Sequence, residues 1–590
     1  MRAAFEWLDQ RTGYKALLHE ALFENVPGGA RWRYVWGSTL TFFFTVQVIT
    51  GLFLWMSYSP SSQTAWESVY FIQHQMLGGW FLRGLHHFVA QAMTILLVLH
   101  LMQVVIDGAY KAPREVNFWF GIVLLLMTLA LSLTGYLLPW DQKGFWATAV
   151  STNIIALSPF IGDGAQAVIV GGANYGHHTL TRFFALHAGV IPGMIIAFVV
   201  GHVYLFRRHG ITPKKPLKKH DEGFWPEQVL RDAVACLAVL LVVVFFVVRY
   251  HGAPLSAPAD PSEQFAAARP EWYFLFLFQL LKYFPGRTEI IGAIILPTLL
   301  MVVLVAMPFI GKWKLGHRFN VGFVWMMLAG AGLLTVLAMR DDRNDPDYVA
   351  SVETAERDAV RAVELAGNGI PVTGALTLMR EDALTQGPRL FSRNCASCHR
   401  YDGHDGLGNS LPKDSISASD LKGFGSREWI ARFFDPKEIV GPKVWGGTAH
   451  KDGDMVSWVQ NHVPTYQPAE KENLRQTLLA LSAEAQLTSQ HSLDRRDSAL
   501  IEAGRVSLRD PTSCGECHTF HDAGKGSPDL TGYGTHEWLT AFIADPAHTR
   551  FFGDNNDRMP SFLTEKTLSP KEIGFVADWL RGEWYVAAKP

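Results

Sequence analysis

Residues 81–106, FLRGLHHFVAQAMTILLVLHLMQVVI, and residues 183–206, FFALHAGVIPGMIIAFVVGHVYLF, decide the fold. Each is long and apolar enough to cross a bilayer, which takes about 20 mostly apolar residues. His86 and His100 lie 14 apart on the first of these segments, and His187 and His202 lie 15 apart on the second. At 1.5 Å per residue the separations are about 21 and 22 Å. At about 100° per residue each pair returns to within about 40–60° of one helix face. Histidine inside a membrane segment is costly and marks function. If both segments cross in the same direction, His86 can face His187 near one side and His100 can face His202 near the other. Two bis-imidazole sites stacked across the bilayer suit two haems. The alternative, four unrelated packing histidines, leaves the matched spacing unexplained.

Five further apolar segments, 35–56, 117–138, 232–249, 290–310 and 320–339, bring the total to seven. Met1 to Glu20 is amphipathic and charged, without a signal-peptide apolar region, and reads as an interfacial helix. With the N-terminus in the cytoplasm, the stretches 1–34, 107–116, 207–230 and 311–319 carry sixteen Lys and Arg. The opposite loops and helix ends carry fewer, among them Arg83, Lys143, Arg182, Arg269, Lys282 and Arg287. The excess predicts a cytoplasmic N-terminus and places everything after residue 340 outside. Gly37 and Gly51 on the first segment, and Gly121 and Gly135 on the third, repeat the spacing of 14. Glycine permits close approach of a backbone to a flat cofactor; ordinary helix packing is the other use of small residues in membranes.

The whole chain has 590 residues, which predicts three or more units of roughly 100–200 residues. Nearly balanced charge, 52 Lys and Arg against 54 Asp and Glu, argues against a nucleic-acid binder. Five cysteines exclude a disulfide scaffold. The average conceals a split: residues 1–340 hold 25 basic and 17 acidic side chains, residues 341–590 hold 27 and 37. A membrane module is joined to an acidic soluble one.

Residues 341–385 read as a polar tether with a helix over 346–366. Beyond it stand Cys395-Ala-Ser-Cys398-His399 and Cys514-Gly-Glu-Cys517-His518. CxxCH is the c-type haem attachment signature, two thioethers plus a histidine ligand. No second CxxC lies close enough to complete a zinc tetrahedron. The two segments echo each other: Asp420-Leu-Lys-Gly-Phe-Gly-Ser-Arg-Glu-Trp429 repeats as Asp529-Leu-Thr-Gly-Tyr-Gly-Thr-His-Glu-Trp538, and Asp435-Pro436 as Asp545-Pro546. Cys236, alone in the fifth segment, reads as a buried thiol. His74, His87, His177 and His178 have no matching partners and read as structural.

With these residues in view the first 340 resemble the cytochrome b of Rieske/cytochrome b complexes, the quinol-oxidising electron-transfer enzymes. The spacing of 15, the run Gly135-Tyr136-Leu137-Leu138-Pro139-Trp140-Asp141-Gln142 and the run Thr181-Arg182-Phe183 are similar to the chloroplast branch. There four helices belong to cytochrome b and three to a small companion subunit. The resemblance implies that Pro270-Glu271-Trp272-Tyr273 lines the quinol-oxidation site, with Glu271 as proton acceptor and Tyr273 as its hydrogen-bonding neighbour. It also implies that Arg83 and Arg182 sit near the outer haem propionates, where membrane-edge snorkelling is the plainer role. Chloroplast-type chains hold an extra covalent haem through a cysteine where this chain has Val35, so no covalent haem is expected there. Arg207 and Asp221 are positioned for an inner quinone site, or serve as a basic anchor and a loop acid. The tail segments resemble class I cytochromes c, in which a downstream methionine completes the iron coordination. Met559-Pro560 matches in the second; in the first, Met455 matches without a following proline, and His450 competes.

The expectation is therefore an all-α chain. It comprises a four-helix dihaem domain (1–230), a three-helix domain (231–340), a linker (341–385) and two small helical cytochrome c domains (386–490 and 491–590). Two non-covalent haems b and two covalent haems c would serve quinol oxidation coupled to cytochrome c reduction in a bacterial cytoplasmic membrane. A Rieske [2Fe–2S] cluster needs two cysteines and two histidines. Four cysteines belong to CxxCH and Cys236 is alone, so a separate Rieske subunit is expected, in a dimeric assembly that passes electrons to a cytochrome or other acceptor.

Overall fold

Apolar runs with no other way to satisfy their backbone in lipid become helices, and the computed structural model, which describes residues 2–212, 220–412, 417–524 and 528–586, contains seven of membrane-crossing length. They span Trp32–Trp55, Gly79–Ile106, Glu115–Tyr136, His177–His209, Phe224–Arg249, Gly286–Ile310 and Gly316–Asn344, here the first to seventh membrane helices. The chain is an integral membrane protein. Lys214, Lys215, Lys218 and Lys219, counted above for orientation, lie outside the described residues. Among those described, the only sheet is a two-residue pairing of Asn25–Val26 with Glu222–Gly223.

The second membrane helix packs against the first and fifth, and the third against the fourth. Its start is set by Gly78 in the left-handed region (φ 71°), a conformation glycine adopts without the Cβ penalty. The fourth helix is interrupted by a π turn, Leu186–Val190, that contains His187. A π turn inserts one residue into an α-helix. The spacing of 15 on the fourth helix therefore matches the 14 on the second, with the extra residue absorbed at the histidine itself.

The residues expected as two membrane domains form one compact unit, and that unit runs on to Leu376. The helix Pro346–Ala366 belongs to it, capped by Asp345, whose carboxylate accepts from the Asp347 and Tyr348 amides. Its Arg361, Ala362, Leu365 and Ala366 are buried.

Residues 377–590 form the second compact unit. Its helices are exchanged between the two halves of the repeat. Ala383–Asn394, which precedes the first CxxCH, packs on Pro570–Arg581 at the end of the second half. Pro468–Glu484, which ends the first half, packs on Ser498–Arg509, which precedes the second CxxCH. Gly387 admits Trp579, and Gly504 admits the backbone of Gln476. Trp579 then stacks on Tyr401 with ring centres 4.3 Å apart and tilts against Phe391 at 5.3 Å. Repeat-related positions meet at the middle: Phe424 lies 5.7 Å from Tyr533. A Cβ on Gly425 or Gly534 would meet the Ala485 methyl at 3.0 or 2.9 Å. Trp429 and Trp538 each donate their indole N–H at 3.0 Å, to the Asp420 and Asp529 carbonyls. The connection between halves is clamped by Arg427, which donates to Asp494 and Asp497 at 2.6 Å each. Asp497 is drawn down to about 2 by Arg496 and Arg427.

A division at 490 consequently runs through a shared core, since Phe391 is fully buried against a helix from the far end of the chain. Trp579→Ala should destabilise this unit by about 3–5 kcal/mol, read by denaturant unfolding. A chain ended at residue 490 should be cleaved rapidly by protease around 383–412; a protected 386–490 fragment would contradict the exchange.

Candidate functional site

The helix pairing brings the four histidines together two by two. His86 and His187 have ring centres 6.2 Å apart at an interplanar angle of 72°. His100 and His202 stand 6.5 Å apart at 79°. Two imidazoles bound to opposite faces of one metal ion at about 2 Å each place their ring centres about 6 Å apart, so the pairs fit axial coordination of a haem iron. No group of three or more metal-ligating side chains converges among the described residues, so each pair offers two nitrogens.

What orients the rings is a bond on the far nitrogen. His202 Nδ1 lies 3.0 Å from the Asn117 carbonyl, and His187 Nδ1 lies 3.1 Å from the Leu131 carbonyl. A carbonyl only accepts, so each Nδ1 carries the proton and each Nε2 keeps its lone pair. His86 reaches the same state through a hydroxyl: its Nδ1 lies 2.9 Å from Thr50 Oγ1, whose own proton goes to the Val46 carbonyl at 2.7 Å. His100 Nδ1 is buried without a partner among the described residues.

Each of the four spaced glycines stands against one of these rings. A Cβ would lie 3.5 Å from His100 Cε1 at Gly37, 3.4 Å from His86 Cε1 at Gly51, 3.5 Å from His202 Cε1 at Gly121 and 2.5 Å from His187 Cε1 at Gly135. The close approach these glycines allow is to imidazole. On the third helix Gly121 and Gly135 follow Asn117 and Leu131 by four residues, so the missing side chain opens the path to the carbonyl one turn back.

Glu271 and Tyr273 begin the short helical stretch Trp272–Lys282. Glu271 Oε2 accepts from the Gln91 amide at 3.1 Å, which joins the loop to the histidine-bearing second helix. Gln91 Oε1 accepts the Trp272 indole N–H. His87, read from the sequence as unpartnered, lies 3.3 Å from the same Gln91 nitrogen through its Nε2. Burial, with the Glu271 carboxylate second, pushes the Tyr273 phenol up to about 12, so it stays a hydroxyl donor near neutral pH. The Tyr136 hydroxyl is buried with no partner among the described residues. No helical or strand periodicity could have revealed the tie of Gln91 to the loop, because Glu271 and Trp272 are 180 and 181 residues away.

The arginines are engaged with protein. Arg83 donates to the Gln73 side chain at 3.0 Å and to the Ala253 and Pro254 carbonyls at 2.7 Å. Arg182 donates to the Val168 carbonyl, and Arg207 donates to the Glu20 carbonyl at 2.9 Å and lies 3.7 Å from Glu24 Oε2. Asp221 accepts from the Gly28 amide at 2.9 Å and Asn25 at 2.8 Å, which hold it below the usual carboxylate range. A different acid is buried at that end: Asp232, on the fifth helix, accepts from the buried Gln228 amide at 2.8 Å. Val35 is buried at the start of the first helix. Cys236 Sγ lies 3.9 Å from Thr39 Oγ1.

In the tail the same imidazole arrangement recurs. His399 Nδ1 lies 2.8 Å from the Ser419 carbonyl, and His518 Nδ1 lies 3.0 Å from the Pro528 carbonyl. Burial lowers both rings from their ordinary value and keeps them neutral. Cys395, Cys398, Cys514 and Cys517 form no disulfide among the described residues. Ser419 also donates through Oγ to the Val444 carbonyl at 3.0 Å, and Val444 belongs to the cluster against which Met455 packs. His450 stacks instead on Phe552 at 5.0 Å. Met559 packs on the shared core, its carbonyl accepting from Asn556 at 2.9 Å.

A family model described as cytochrome b/b6/petB matches residues 24–210, and one described as cytochrome b(C-terminal)/b6/petD matches residues 258–354. The chain is 34% identical over 300 residues to the cytochrome b of Cereibacter sphaeroides, covering 48% of this chain and 67% of that one. It is 36% identical over 217 residues to the menaquinol:cytochrome c reductase cytochrome b subunit of Bacillus subtilis, covering 35% of this chain and 96% of that one. A solved structure described as a hyperthermophilic respiratory Complex III aligns with a TM-score of 0.51 and 27% identity, over 60% of this chain and 95% of that one.

Gly135→Val should drive the His187 ring out of its position, since the added carbons occupy the ring's place. Non-covalent haem, measured by pyridine haemochrome after extraction, should fall from two per chain to one. Two per chain with unchanged spectra would contradict the role of the glycine.

Proposed function

The chain belongs to the cytochrome b family, and from that premise we propose that it is the cytochrome b subunit of a quinol:cytochrome c reductase with an electron-transferring tail of its own. The observation that carries the proposal is the pair of opposed imidazole sites, with the Glu271 carboxylate tied to the same helix through Gln91. His86 with His187, and His100 with His202, hold two non-covalent haems b. Cys395, Cys398 and His399, and Cys514, Cys517 and His518, hold two covalent haems c, with Met455 and Met559 as sixth ligands. When bound, these groups supply one-electron transfer across and away from the bilayer.

The residues of the chain handle the protons and the substrate. Quinol binds on the outer side near Glu271 and Tyr273, and Glu271 takes a proton from its hydroxyl. Oε2 is already held by Gln91, and Oε1 has no hydrogen bond among the described residues, so Oε1 is the accepting atom. Tyr273, held protonated by burial, donates to a substrate oxygen. At the inner side the buried Asp232 on the fifth membrane helix is the candidate acid for quinone reduction, where Asp221 is exposed and bonded to Gly28 and Asn25. Release outside and uptake inside moves protons across the membrane. Arg207, bonded to Glu20, fixes the N-terminal interfacial helix rather than a substrate.

The orientation is cytoplasmic for the N-terminus and extracytoplasmic for the tail, in a bacterial inner membrane. The charge excess and the CxxCH motifs support it independently. With no cysteine pair left over, the Rieske cluster resides on a separate subunit that docks on the outer side of a homodimeric complex.

Glu271→Gln keeps the shape of the side chain and loses the proton acceptor, so quinol oxidation should slow by roughly 10²-fold with all haem spectra intact. Unchanged turnover would remove Glu271 from the reaction. After acid–acetone extraction, haem stain on the denatured chain should remain only within residues 386–590; stain on a fragment ending before 340 would contradict the reading of Val35.

A further inference from the structure

Every polar group of the Gln91 side chain is committed beside Glu271. One N–H of its amide donates to Glu271 Oε2 at 3.1 Å, and the nitrogen lies 3.3 Å from His87 Nε2. Its oxygen accepts the Trp272 indole N–H. These partners fix which end of the amide is which. A flipped amide would set its oxygen against a carboxylate and its N–H against an indole N–H, both repulsive. The loop that carries Glu271 has no regular structure between the fifth membrane helix and Trp272. It is pinned on its other flank by Arg269, which forks onto Asp342 with bonds of 2.8–3.0 Å. Between that ion pair and the short helix from Trp272, the Gln91 amide is what ties the Glu271 side chain to a rigid element.

We propose that Gln91 is the positioning residue of Glu271: it grips Oε2 and so holds Oε1 toward the quinol. The inference rests on Glu271 as the proton acceptor and extends that reading by one residue. A half-buried carboxylate without this grip swings between rotamers, and the fraction of time spent in the accepting orientation falls. Gln91 meets Glu271, Trp272 and His87 rather than quinol, so quinol binding is left nearly untouched. On this proposal the effect of Gln91 on the rate passes through the Glu271 carboxylate, so Gln91 contributes nothing to the rate once that carboxylate is replaced.

The experiment uses the whole complex and compares Gln91→Leu, Glu271→Gln and the double variant for quinol oxidation, with b-haem spectra recorded for each. Gln91→Leu should lower kcat roughly tenfold, the value of one charge-assisted hydrogen bond, with KM within about twofold and both b-haem spectra unchanged. The double variant should be no slower than Glu271→Gln alone. Gln91→Met, which keeps the length of the side chain, replaces Leu if Leu disturbs the spectra. Wild-type kcat in the Gln91 variant, or a double variant slowed by the product of the two single effects, would overturn the inference. Glu271→Gln at wild-type rate would instead overturn the reading of Glu271 on which it rests.

Discussion

An imidazole holds a metal only through a nitrogen whose lone pair is free, and in this chain that freedom is arranged from the other side of the ring. Five histidines, His86, His187, His202, His399 and His518, commit Nδ1 to a carbonyl or to a hydroxyl whose proton is already given away. The proton then cannot sit on Nε2, and the ring cannot turn without breaking the bond. The membrane half and the tail hold their imidazoles in this same way.

The helices of the membrane half are subordinate to that bond. For His202 and His187 to reach the Asn117 and Leu131 carbonyls, the third helix must lack a side chain one turn further on, and Gly121 and Gly135 provide the gap. The π turn at Leu186–Val190 takes up the one residue by which the fourth helix differs in spacing from the second. A strictly α-helical path over the fifteen residues would leave His187 about 60° from the face that His202 shares, on the opposite side from the roughly 40° offset of the pair on the second helix. The second helix carries His86 toward His187 and, five residues on, Gln91 toward Glu271. The Glu271 loop and the His86-bearing helix are thus tied together.

The tail follows a different logic. Two repeats of about a hundred residues each keep the local order of their motifs, but the long helices pair across the repeats. Gly387 with Trp579, and Gly504 with Gln476, are the contacts that fix this exchange. It merges two small cores into one and sets repeat-related Phe424 and Tyr533 against each other.

By itself the sequence determined whatever depends on short, regular spacing. The seven crossings, the matched histidines, the glycines 14 apart, the helix at 346–366 and the CxxCH repeat all follow from periods of a helix or from a motif of five residues. These are properties of a chain reading its own neighbourhood. Tertiary structure alone decided the contacts between residues far apart: Gln91 with Glu271, Asp221 with Asn25 and Gly28, and the exchanged helices of the tail. The helical period says which face a residue lies on and nothing of what the chain returns to it a hundred or more residues later. His87 illustrates the boundary. Its place beside His86 was legible, but its role depends on an amide that is itself held by a loop 180 residues away.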